Sequence, residues 1–178
     1  MTSNHTRLTV LLSAIVAAAA LRLVPHPPNF TPIDAMALFS GAYLGKRWLA
    51  FMAPLGAMLL SDLWLGFYSG MWVQYAAVAV IVLFAGAALN RLSLLKVVGA
   101  ALASSIIFFL VTNFGTWALS GMYAHSAAGL SACYVAAIPF FQNTLAGDLF
   151  YAALLFGGFA LLERAVPALR RAGEPLPA

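Results

Sequence analysis

Two histidines and the single cysteine of the chain, His26, His125 and Cys133, carry side chains that can bind a soft metal ion. Their spacing matches no zinc motif, and solvated loop histidines and a small buried cysteine are the alternative roles. A single cysteine also excludes an internal disulfide bond. The sequence therefore leaves a metal site and purely structural roles both open.

Three of the five acidic residues, Asp34, Asp62 and Asp148, lie near the ends of predicted helices. Asp34 and Asp148 each suit the start of a helix, where the helix dipole favours an anion, and each also suits a ligand contact. Asp62 is near the C-terminal end of its predicted helix, where the dipole disfavours a carboxylate. Arg22 is the only basic residue predicted on that side, so an Asp62–Arg22 ion pair and a ligand contact both stay open.

Enzyme motifs are absent from the chain, which contains no P-loop, HExxH, GxSxG or glycine-rich dinucleotide motif. A small membrane enzyme that uses His26, Asp62 and Asp148 for acid–base chemistry is one alternative. An assembly protein whose outer face binds another protein is a second. We expect no intrinsic cofactor and no nucleic-acid partner.

The composition places these residues in a membrane protein. The chain of 178 residues is 63% hydrophobic and 8% charged, so most of its surface must face lipid. A spanning helix needs about 20 apolar residues, which allows six spans in a single all-α domain, 1–178, without a separate soluble domain. The N-terminal segment resembles a signal peptide, but its apolar run continues to Val24 without a polar cleavage region, which favours a retained first helix.

The apolar segments predict six transmembrane helices at 8–24, 33–45, 48–66, 72–89, 93–118 and 145–165. The stretch 119–144 is predicted to be a long loop that carries a short helix over 130–137.

The basic residues predict the orientation of these helices. With the N-terminus inside, eight of the nine basic residues are cytoplasmic, and only Arg22 is outside. The eight are Arg7, Lys46, Arg47, Arg91, Lys96, Arg164, Arg170 and Arg171. This positive-inside bias predicts an N-in/C-in, multi-pass protein.

Polar and aromatic residues collect at the predicted outer ends of the helices, whereas the middle of the membrane has almost no ionisable group. Any single aromatic residue there also suits an interfacial belt. The proline-rich connection RLVPHPPNFTPIDA, residues 22–35, is either a rigid turn or a wall of a ligand site. The predicted outer binding site consists of His26, Asn29, Asp34, Asp62, Trp64, Tyr68, Gln74, Asn113, Trp117, His125, Cys133, Tyr134, Asn143 and Asp148.

The segment FTPIDAMALFSGAYLGKRWLAFMAPLGAMLLSDLWLG, residues 30–66, resembles the substrate-binding S components of energy-coupling-factor vitamin transporters. PHPPNFTPI, NFGTWALSGMY and CYVAAIPFFQNTLAGDLFY also resemble a small bacterial membrane family without an established role. The resemblance implies a six-helix protein of the bacterial inner membrane that takes up a vitamin or cofactor, alone or with an energising module of coupling subunit and ATPases. It also implies that Ala14 and Ala18, four residues apart, contact a helix of the coupling subunit.

Within the S components, the chain is most similar to the solitary cobalamin-uptake type, in which an outer cysteine can ligate the corrinoid cobalt. The resemblance implies cobalamin or another corrinoid as the ligand, with Cys133 or His26 as the cobalt ligand. The chain departs from that type, since the cysteine expected shortly after the third helix is missing from 71–76.

Overall fold

The structure is a computed structural model that describes residues 2–44 and 48–170, with side chains from His5 onward. Lys46, Arg47 and Arg171, which contribute to the predicted charge bias, lie outside the described residues. The described chain is helical and contains no β-strand. Its helices are α1 (Thr2–Leu21), α2 (Ile33–Leu44), α3 (Trp48–Leu65), α4 (Met71–Ala88), α5 (Leu94–Leu119), α6 (Ala127–Ala152) and α7 (Gly158–Ala165).

The first five predicted helices agree with the structure to within a few residues at most ends, but the prediction for 119–144 is wrong. A π-helical turn, Ala153–Gly157, joins α6 to α7, so one helical segment runs from Ala127 to Ala165. Ser126 starts this segment, because its hydroxyl accepts a hydrogen bond from the Gly129 amide at 3.1 Å. The predicted 130–137 helix is therefore part of a longer one, and Asp148 lies deep inside α6 rather than at a helix start.

Helix α2 is the centre of the bundle. It contacts α1, α3, α4, α5 and α6, and 11 of its 12 residues are buried. Gly41 allows α4 to approach closely, because an added Cβ would lie 2.5 Å from the Val82 carbonyl oxygen. Asp34 is the acidic residue that α2 brings into this buried centre.

Two buried ion pairs fix the ends of the bundle, one through Arg7 in α1 and the other through Arg22, directly after α1. At one end Arg7 pairs with Glu163 and also donates to the Leu169 carbonyl. At the other end Arg22 pairs with Asp62 at 2.8 Å. This second end carries the connections 22–32, 66–70 and 120–126, and we call it the proline-loop end.

Several helices have the length and composition of membrane spans. In the described chain, α3, α4, α5 and the continuous Ala127–Ala165 segment are each long and apolar enough to cross a membrane. The apolar parts of α1 and α2, His5–Leu21 and Ile33–Leu44, are shorter. The structure therefore agrees with the expectation of an all-helical membrane protein.

Candidate functional site

A groove of about 640 Å³ opens between α4, α5 and α6 at the proline-loop end. We call it the α4–α5–α6 groove. The two connections 22–32 and 66–70 also reach it, through Asn29 and Tyr68. Its lining residues are Asn29, Tyr68, Ser69, Gly70, Trp72, Val73, Gln74, Phe108, Phe109, Thr112, Asn113, Gly115, Thr116, Leu119, Ser120, Ala137, Phe140, Phe141 and Thr144. These lining residues include no charged side chain, so the groove suits an uncharged ligand.

The α5 wall of the groove is a row of polar side chains one helical turn apart. Thr112, Thr116 and Ser120 each donate a hydrogen bond to the carbonyl four residues earlier. The Asn113 amide nitrogen likewise donates to the Phe109 carbonyl at 2.8 Å. Since these donors are bound within the helix, the row presents mainly acceptor oxygens to a ligand.

The opposite wall supplies the complementary donor. The Tyr68 hydroxyl donates to the side-chain oxygen of Gln74, which leaves the Gln74 amide nitrogen to donate. Burial is the main cause that raises the pKa of Tyr68, and the nearby negative charge of Asp62 raises it further. Tyr68 therefore stays protonated at neutral pH and keeps this bond.

The floor of the groove depends on a close helix crossing. Gly115 faces Val73, and a Cβ at Gly115 would overlap the Val73 side chain. At the rim, Asn29 has a φ of 64°, in the left-handed region that asparagine tolerates better than most residues. The Asn143 amide donates to the Pro28 carbonyl at 2.9 Å and fixes the proline-rich connection to α6.

The groove brings together four of the predicted site residues: Asn29, Tyr68, Gln74 and Asn113. Other predicted residues lie at the same end but form its framework. The Trp117 indole donates to the Ala124 carbonyl and packs edge-on against His125, which closes the α5–α6 connection. Tyr134 donates to the Leu110 carbonyl at 2.7 Å. Trp64 is not part of this framework, because the residue is 82% exposed on the outside of the bundle.

Asp62 belongs to a separate buried network between α1, α3 and α4. Arg22 donates to its Oδ1, and the Tyr75 hydroxyl donates to its Oδ2 at 2.7 Å. Arg22 also donates to the Ser61 hydroxyl. Of the two roles left open for Asp62, the structure therefore supplies the ion pair, and Asp62 is not among the groove-lining residues.

Asp34 and Asp148 form a third polar cluster, between α2, α5 and α6. Both are buried, and their carboxyl groups lie beside each other. The Ser105 hydroxyl donates to Asp148, whereas no N–H or O–H group of the described residues donates to either Asp34 oxygen. Asp34 is in the first turn of α2, as one of its predicted roles required.

The candidate metal ligands do not form a cluster. In the described part of the chain, no group of three or more histidine, cysteine or acidic residues is placed to hold a metal ion. The buried Cys133 thiol contacts the Asn113 carbonyl oxygen at 3.4 Å, and the His26 ring contacts the Pro27 carbonyl. Neither lines the groove.

The α1 residues predicted to contact a coupling subunit face inward to different degrees. Ala18 is buried and Ala14 is half-buried against the core. Among its described side chains, α1 exposes the small residues Ser13, Ala17 and Ala20. A partner helix would meet this second set first.

Sequence reasoning missed the hydroxyl row of α5 and the aromatic residues Phe108, Phe140 and Phe141. The spacing of Thr112, Thr116 and Ser120, four residues apart in an apolar helix, was a signal that could have found the row. The aromatic residues gave no such signal, because phenylalanine is common throughout this chain.

Residues 2–169 match the family model described as "Family of unknown function (DUF6580)", and the chain belongs to this family. No curated protein matches the chain, and no solved structure matches it.

Proposed function

We propose that this protein binds a small uncharged molecule, of the size of a vitamin or cofactor, in the α4–α5–α6 groove and takes it up across a bacterial cell membrane. The groove itself carries the proposal. Its volume of about 640 Å³ is within the range of sites that bind drug-sized ligands. Its aromatic and polar lining offers a stacking surface together with hydrogen-bond partners.

The proposed ligand has features that complement the two walls. The acceptor oxygens of α5 require hydroxyl or N–H groups on the ligand, and the Gln74 amide requires an acceptor. Trp72, Phe108 and Phe141 would contact a planar or apolar part. Cobalamin or another corrinoid is the proposed vitamin, and ligation of its cobalt by Cys133 would require the buried thiol to leave the Asn113 carbonyl oxygen.

The proposed topology has six spans with both termini in the cytoplasm, which puts the groove on the outer side. Six apolar helices and the excess of basic residues at the opposite end support this arrangement. Uptake would proceed either alone or with a coupling subunit and ATPases, as in the S components. The exposed α1 face with Ser13, Ala17 and Ala20 is the surface proposed for that contact.

Ligand binding can be tested with the purified protein in lipid nanodiscs. Mass spectrometry of the extracted sample would identify a co-purifying molecule, and tryptophan fluorescence would measure its affinity alongside a panel of vitamins that includes cobalamin. Asn113→Leu should weaken binding about tenfold, because it leaves a polar ligand group unpaired. Asn90→Leu, at an exposed position in the connection between α4 and α5 at the opposite end, is the matched control and should bind as the wild type does.

Two results would contradict the proposal. One is the absence of any saturable small-molecule binding while a stable protein partner co-purifies, which would favour an assembly protein. The other is unchanged affinity in Asn113→Leu, which would move the site elsewhere. The alternative acid–base enzyme has little support, because Asp62 and Asp148 belong to separate networks.

The topology has its own test in a Cys133→Ala background. His125→Cys should react with a membrane-impermeant maleimide in intact cells, because residue 125 is exposed at the proline-loop end. Arg91→Cys, exposed at the opposite end, should react only after the cells are opened. The reverse pattern would place the groove in the cytoplasm.

A further inference from the structure

We propose that Asp34 and Asp148 form a buried site that binds an exchangeable proton from the proline-loop side of the protein. The two carboxyl groups lie beside each other at 2% and 1% exposure. Such a site does not depend on the identity of the groove ligand.

Charge balance requires a cation in this site. Two buried carboxylates at such close range cannot both stay ionised without a compensating charge. No donor of the described residues reaches the Asp34 oxygens. A hydrogen bond to Asp34 therefore requires a proton that Asp34 and Asp148 hold between them. A shared proton supplies both the missing charge and the missing hydrogen bond.

Ser105 provides two hydrogen-bonding states that match two protonation states. Its hydroxyl has a single hydrogen but two acceptors within reach, Asp148 Oδ2 and the Ala101 carbonyl oxygen at 3.0 Å. When Asp148 is ionised, the hydroxyl donates to the carboxylate. When Asp148 Oδ2 carries a proton, that proton is donated to Ser105, and the hydroxyl turns to Ala101. The hydrogen bond between Ser105 and Asp148 is therefore kept in both states, with its direction reversed.

The helices around the pair offer no competing counter-charge. Arg22 from the end of α1 is bound to Asp62 of α3, and Tyr75 of α4 also donates to Asp62. Tyr151 is one turn beyond Asp148, and its ring packs against Phe30. The other titratable or charged side chains on these helices and on the segment that follows α6 are His5, Arg7, Tyr43, Lys96, Cys133, Tyr134, Glu163 and Arg164.

Glu163 already pairs with Arg7 at the opposite end, and Lys96 is exposed at the start of α5. Among the described residues, Asp148 is the charged group that lies beside Asp34. Protonation is therefore the means of neutralising the pair that the surrounding residues allow.

The pair lies one helical turn below the α4–α5–α6 groove. Thr144 lines the groove and precedes Asp148 by four residues, and Phe108 and Phe109 follow Ser105 by three and four residues. The proline-rich connection covers the same place, since an added Cβ at Gly147 would lie 3.2 Å from Phe30 Cα. A proton that enters beside this connection reaches Asp148 without crossing the bundle.

Infrared difference spectroscopy of the protein in nanodiscs, over about pH 5–9, tests the proposal directly. The wild type should show the C=O stretch of a protonated carboxyl group that is lost as the pH rises. The double variant Asp34→Asn/Asp148→Asn should lack this band, and each single variant should shift its midpoint. Ser105→Ala should shift the band frequency. Asp62→Asn is the matched control, because it changes a buried aspartate with a cationic partner and should keep the band.

Asparagine mimics a neutral carboxyl group, so the variants should fold, and thermal unfolding checks this. If the double variant does not fold, the proposal is tested by the midpoint shift predicted for each single variant and by the frequency shift predicted for Ser105→Ala. A wild type with no titrating carboxyl band overturns the proposal, as does a band that persists in the double variant. The spectra are repeated in sodium and in choline salts at constant pH. A band that only sodium displaces would assign the site to a sodium ion instead of a proton.

Discussion

Removal of one member of the Arg22–Asp62 pair should destabilise the protein far more than removal of both. The side chains are 8% and 2% exposed, so neither charge is well solvated when its partner is lost. Breaking a buried ion pair costs about 3–5 kcal/mol. We expect Arg22→Met to be near the lower value, because Asp62 keeps the hydrogen bond from Tyr75.

The double variant Arg22→Met/Asp62→Leu should recover most of this loss. Ser61 loses the Arg22 contact but still donates to the Met58 carbonyl at 2.8 Å, and Tyr75 is half-buried, so water can reach its hydroxyl. Replacing both members of a buried pair by apolar residues is often neutral or stabilising. We therefore expect the double variant to be within about 2 kcal/mol of the wild type. The coupling energy is then at least about 4 kcal/mol, because each single loss is at least about 3 kcal/mol.

The assay is equilibrium unfolding in mixed micelles with increasing sodium dodecyl sulfate, followed by tryptophan fluorescence. Arg91→Met is the matched control, since it removes an exposed arginine and should change the unfolding free energy by less than about 0.5 kcal/mol. Additive losses in the double variant would refute the reasoning, because they would mean that the two charges do not stabilise each other.

Three further predictions concern packing, accessibility and ionisation. Gly41→Val should lower the unfolding free energy by about 1–3 kcal/mol in the same unfolding assay, because the added side chain overlaps α4. Gly56→Ala should have no such effect, because an added Cβ there meets nothing within 4 Å. The Cys133 thiol, at 2% exposure, should react with maleimide much more slowly than a cysteine at position 125 in the Cys133→Ala background, and equal rates would contradict the buried placement. Burial raises the pKa of Tyr68, so in the difference spectrum between wild type and Tyr68→Phe the tyrosinate absorbance should appear with a midpoint pH above the ordinary pKa of about 10. A midpoint at or below that value would contradict the placement of the Tyr68 ring.

The sequence predicted helix positions well wherever an apolar run ended at charged or glycine-containing turns. It failed at α6, because Pro139, Gln142 and Asn143 together resemble a loop. In the structure Pro139 lies inside the helix and its ring is exposed on the surface, while Asn143 is bonded to the proline-rich connection. The helix start was encoded locally, by the Ser126 cap, but a single serine is too common to predict it.

The candidate site was predictable only in part. The direction of each predicted helix indicates which polar residues lie at the same end of the molecule. Asn29, Tyr68, Gln74 and Asn113 were found in this way. The separation of the acidic residues into two networks was not predictable, because it depends on which helices pack together. Hydropathy contains no information on whether α6 places Asp148 beside Asp34 or beside Arg22.

The buried position of α2 has a consequence for how the protein is made. A segment needs about 20 apolar residues to be released into the bilayer as an independent span, and α2 has 12. It also carries Asp34, which opposes partitioning into lipid during synthesis. Insertion of α2 must therefore wait for, or accompany, that of its longer neighbours α3 and α4. The helix at the centre of the finished bundle is thus poorly suited to enter the membrane by itself, and its place in the bilayer depends on neighbours that insert before it or with it.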